Sequence, residues 1–80
     1  MKTKTTDYFW RSRDAIDRAW IEIGWIEHVV ANPNREQIQS NGRIRRWGTV
    51  PELNGRYLRV VLLPDGETVH NAFVDRGYRP

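Results

Sequence analysis

The residues with chemistry to offer are arginines, two histidines and a scatter of tyrosines and tryptophans. Among thirteen Lys and Arg residues, only Lys2 and Lys4 are lysines, and both stand at the N-terminus. Every cation further along is therefore Arg. A guanidinium grips phosphate through two parallel N–H bonds and stacks on base faces, whereas an ammonium is a point charge. Arginine-rich coding composition is the plain alternative. Arg45 and Arg46 lead into Trp47, Arg59 interrupts an apolar run, and Arg76 and Arg79 flank Tyr78. A charge in mid-strand must reach an edge or a partner, because burying it unpaired is costly. Arg59 thus reads either as a phosphate contact or as a structural ion pair with Glu27 or Asp75. The imidazole of His70 has an ordinary pKa of about 6.5, suited to proton transfer; an ordinary strand residue is the other reading. His28 reads as helix surface. Trp47 could stack on a base or hold a cation–π contact with Arg45. Tyr57 fits sheet packing or a base platform, and Tyr78 fits a base platform or a frayed terminus. Trp10, Trp20 and Trp25 read as core. Two His and no Cys offer no structural zinc set and no disulfide, and no cofactor is expected. No phosphate loop, GxGxxG or HExxH motif is present.

These side chains need elements to hold them. Eighty residues allow one domain. Residues 1–6 read as a disordered polar tail and residues 7–80 as a single α+β domain. Asp7 is a candidate N-cap for a helix over residues 7–18, with Ile16, Trp20 and Ile23 at helical spacing. A second helix spans 22–31, separated from the first near Gly24, and Asn32-Pro33-Asn34 ends it. The period then changes to two. Strands are expected over 37–39, 43–50, 56–63 and 68–74, with turn signals at Asn41-Gly42, at Asn54-Gly55 and at Pro64-Asp65-Gly66. In the second strand Ile44, Arg46, Gly48 and Val50 point one way, and Arg45, Trp47 and Thr49 the other. Short connections favour antiparallel neighbours. Two helices packed on a four-stranded antiparallel meander follow. The net charge of +3 is too mild to imply nucleic acid by itself. The first residues lack the apolar stretch of a signal peptide, and no run approaches the length of a membrane span. A reducing cytoplasm is the expected setting.

The order of elements and several segments resemble the bacterial domain-of-unknown-function family 4258, which is similar to RelE-like toxins of the barnase–RelE nuclease class. The segments are Trp25-Ile26-Glu27-His28-Val29-Val30-Ala31-Asn32-Pro33, Asn41-Gly42-Arg43-Ile44-Arg45-Arg46-Trp47-Gly48, Gly55-Arg56-Tyr57-Leu58-Arg59-Val60-Val61 and Ala72-Phe73-Val74-Asp75-Arg76. The resemblance implies metal-independent RNA cleavage, RNA, free or ribosome-associated, as target, and an acidic antitoxin as partner. Such cleavage needs a base, an acid and cations against the phosphorane. The resemblance assigns the cations to Arg45, Arg59 and Arg76; His70, from its imidazole chemistry, is the candidate for proton transfer. Arg46, Trp47, Tyr57, Tyr78 and Arg79 become RNA contacts. Two departures bear on activity: the family's helix histidine falls on Arg11, and its Arg-Gly pair on Ala19-Trp20. They leave a catalytically inactive RNA- or protein-binding module of the same fold as the alternative.

Overall fold

The computed structural model describes residues 3–13 and 18–80. The elements run α1 (Asp7–Arg13), α2 (Ile23–Ala31), β1 (Arg35–Ile38), β2 (Ile44–Gly48), a single 3-10 turn (Pro51–Leu53), β3 (Leu58–Leu62) and β4 (Val69–Val74). The strands form one antiparallel sheet in the order β1-β2-β3-β4, so the expected α+β meander is the observed fold. No helix among the described residues is long and apolar enough to cross a membrane.

The alternation written into the strands decides the two faces. Leu58, Val60 and Leu62 on β3 are fully buried and pack with Val69 and Ala72 of β4 under Phe9, Ile26 and Val29 of the helices. Ile44 and Val50 join the same core. Gly48 lies beneath α2, where an added Cβ would sit 3.2 Å from both methyls of Val29. The hairpin between β1 and β2 turns at Gly42, whose φ of 87° lies in the left-handed region that glycine enters without steric cost. Leu53, expected in a loop, is fully buried in the 3-10 turn.

Three expectations are corrected. Residues 4–6 are not a frayed tail. Val69 N–H donates to the Lys4 carbonyl (2.8 Å) and Thr6 N–H to the Val69 carbonyl (3.1 Å), making a short parallel bridge along the β4 edge. The first helix is described over Asp7–Arg13, and residues 18–20 form a turn, so helix does not reach residue 18; residues 14–17, with Ile16 of the expected stripe, lie outside the described residues. Trp10 and Trp20 are not core: they are 51% and 43% exposed. Neighbouring residues on a helix point about 100° apart, and it is Phe9, 1% exposed, that faces inward. Trp25 is partly buried and packs on the core.

Candidate anion-binding cleft on the open sheet face

The sheet face away from the core carries the odd-numbered residues of β1, β2 and β3. Cross-strand partners share a face, and the register aligns Arg45, Val61 and Asn71 in one row and Trp47, Arg59 and Phe73 in the next. Alternation alone thus places Arg45 and Arg59 as diagonal neighbours. Arg43, just before β2, extends the basic side. From the far edge α1 leans over: the Tyr8 ring stacks on His70 at 4.6 Å and 21°. Arg18 reaches Asn71 Oδ1 (3.1 Å) and lies 5.2 Å from the Phe73 ring. Beside them lies an open cleft of about 360 Å³, whose lining includes Arg43, Arg45, Arg59, His70 and Tyr8 and, among the described residues, no acid.

The electrostatics follow from crowding of like charge. Burial depresses the Arg59 pKa, Asp75 offsets that, and Arg45 adds to the depression. Arg59 stacks over Phe73 at 4.5 Å, and its nearest acid oxygen, Asp75 Oδ2, is 3.6 Å from Nη1, too far for a good hydrogen bond. The buried Nε atoms of Arg18 and Arg59 have no hydrogen-bond partner among the described residues. Among the described residues Arg45 reaches only Gln37 Oε1, at 3.5 Å. Donors left unfilled at a buried charge are costly unless something else fills them. His70 is pushed below its ordinary pKa by burial and then by Arg43, which favours the neutral ring. Its Nδ1 lies 3.0 Å from the Thr6 hydroxyl.

Of the residues expected from sequence, Arg45, Arg59 and His70 meet in this one cleft. Trp47, Tyr57 and Tyr78 form an aromatic cluster beside it: Tyr78 stacks on Trp47 (5.0 Å, 15°) and meets Tyr57 edge-on (4.9 Å). Asp75 joins cluster and cleft, accepting from Trp47 Nε1 at 2.9 Å. Arg46 is not on this face. Its even position turns it toward α2, where Nη1 donates to the Val30 carbonyl (2.9 Å) and Nε to Glu36 (2.7 Å). Arg76 is not with the other two cations either. The chain turns outward after β4, leaving Arg76 and Arg79 exposed around a separate cavity of about 240 Å³ with Tyr57 and Tyr78. Glu27, one of the two acids weighed as a partner for Arg59, instead accepts from the Thr3 hydroxyl. Sequence reasoning missed Arg43, Arg18, Thr6 and Tyr8. Arg43 shares the parity of Arg45 and was legible; the others arrive from more than fifty residues away with no local signal. Among the described residues no group of His, Asp and Glu could hold a metal ion.

Comparison with known protein families, with curated proteins and with solved structures finds no match for the chain.

Proposed function

We propose that the protein is an RNA-directed domain of the RelE-like, toxin type, and that the open-face cleft grips the phosphate backbone of its RNA. One observation carries this reading: among the described residues, Arg43, Arg45 and Arg59 converge on a concave wall with no acid while Arg59 keeps a donor unfilled. A phosphodiester is permanently ionised and accepts two parallel bonds from a guanidinium. Aromatic rings border the cleft, and bases stack on such rings without regard to sequence. A cleft of small-ligand size suits an unstacked nucleotide of a single strand better than the stacked interior of a duplex. An acidic protein that covers the arginines would serve as its antitoxin, and cytoplasmic RNA as its target.

A second reading, metal-independent RNA cleavage, is favoured by His70. A neutral imidazole beside Arg45 and Arg59 could take the ribose 2′-OH proton while the guanidiniums stabilise the phosphorane. Arg76 has no part in it.

The test is fluorescence anisotropy with a labelled single-stranded oligoribonucleotide, followed by a denaturing gel. Arg45→Ala and Arg59→Ala should each weaken binding about tenfold, the scale of one charge-assisted hydrogen-bonded contact. Unaltered affinity in both variants would sink the assignment. Cleavage that vanishes in His70→Ala supports the nuclease reading; binding with intact RNA supports a module that holds without cutting.

A further inference from the structure

The hydroxyl of Thr6 joins α1 to the cleft. Its oxygen accepts from the Phe9 backbone N–H at 3.1 Å, which caps the first turn of α1. The same oxygen lies 3.0 Å from His70 Nδ1. A hydroxyl has one proton to give, and among the described residues Nδ1 is the acceptor offered to it. In one of the two polarities this contact allows, Thr6 O–H donates to Nδ1 and the ring proton of neutral His70 is on Nε2. Tyr8 covers one face of the imidazole, which holds the ring plane. The titratable and charged groups around His70 are Tyr8 from α1, Arg43 at the start of the β2 side, Arg45 from β2 and Arg59 from β3. With three cations and no carboxylate among the described lining residues, a fourth positive charge is unfavourable there.

We propose that Thr6 is a positioning residue which locks His70 as a neutral Nε2–H donor, so that His70 binds phosphate alongside the arginines and does not accept a proton. A neutral donor adds a hydrogen bond to an anion without adding to the repulsion among guanidiniums. The proposal rests on the RNA-binding reading for its ligand and decides between the two readings above: a cleft without a proton acceptor holds RNA and leaves it intact.

Nitrogen-15 spectra of the His70 ring in the whole protein, recorded well above its titration, report the tautomer without any RNA. The expected result is a protonated Nε2 and an unprotonated Nδ1. Thr6→Ser keeps cap and hydroxyl and should leave the spectrum unchanged. Thr6→Asp keeps the cap but only accepts; it should move the proton to Nδ1 and raise the His70 pKa. Thr6→Val removes the donor that favours the neutral ring and should also raise that pKa. A wild-type ring protonated at Nδ1 overturns the proposal, as does a Thr6→Val variant whose His70 titrates lower. Binding of a short oligouridylate then tests the ligand: His70→Ala should lose about fivefold, one neutral hydrogen bond. If the tautomer is as expected and oligouridylate does not bind, the RNA reading fails while the role of Thr6 at the ring stands.

Discussion

Arg59 sits between the Phe73 ring at 4.5 Å and the Asp75 carboxylate at 3.6 Å, and neither fills its Nε. Asp75 is thus a built-in competitor for whatever anion enters. It is also a structural acceptor, holding Trp47 Nε1 at 2.9 Å and the Gly77 N–H at 3.2 Å. Asp75→Asn removes the charge and keeps the acceptor for Trp47 Nε1 if the amide oxygen takes the Oδ2 place, at the loss of the Gly77 bond to Oδ1. Affinity for single-stranded RNA should rise about two- to fivefold, the range of a modest Coulombic competitor, and anisotropy will read it. A fall in affinity would mean that Asp75 orders Arg59 more than it opposes the ligand. Arg46 gives the contrast: with Glu36 and the Val30 carbonyl both engaged, its donors are already filled on the wrong face.

At the scale of elements, two contacts set the geometry under the cleft. The α2–β2 approach is close because residue 48 has no side chain; a Cβ would press on Val29, itself fully buried. Gly48→Ala should cost about 1–3 kcal/mol, as overpacking of a filled core does, measured by urea denaturation. The β3–β4 connection depends on Asp65. Its carboxylate accepts from the Thr68 hydroxyl (2.6 Å) and from the Thr68 and Glu67 N–H groups (both 2.9 Å). These bonds, the Thr68 hydroxyl first, bring its pKa down to about 2. The folded value lies below the unfolded value of about 3.9, so the stabilisation is complete above the unfolded value and disappears as pH falls through about 2. Asp65→Asn should therefore lower the melting temperature near neutrality and remove part of the acid decline, as thermal scans across that pH window will show. His70 follows this turn in β4, at the register shift where Val61 pairs with Asn71 and Leu62 with Val69.

Across the whole molecule the sheet divides labour by face: the helix side carries the apolar core and the far side the cations. Net charge is only +3, so attraction to nucleic acid must come from this local concentration and not from the protein's overall field. With Arg43, Arg45 and Arg59 as the phosphate contacts, log affinity against log salt should fall with a slope of about −2, from roughly 0.7 per neutralised phosphate on a single strand. Arg59→Ala should make the slope shallower by about 0.7. A slope near zero in a salt titration, or equal affinity for duplex RNA, would exclude the cleft as the binding surface.

How much of this was legible in the chain depends on distance along it. Side chains alternate strictly in a strand, and the Asn-Gly and Pro-Asp-Gly turns are local, so the sequence alone determined the antiparallel meander, the inward set of β3, and the placement of Arg45 with Trp47 opposite Ile44 and Val50. Helix phase was less legible: Trp10 and Phe9 are adjacent, and only packing against β4 chose Phe9 for the core. What tertiary structure alone decided is the company each side chain keeps. Thr6 and Tyr8 meet His70, Arg18 meets Asn71 and Phe73, and Asp75 meets Trp47. Those pairs form because α1 and residues 4–6 run along the β4 edge and because the last residues fold back over β2. Long-range contacts of this kind depend on how whole elements close on one another, and no short window of sequence encodes that.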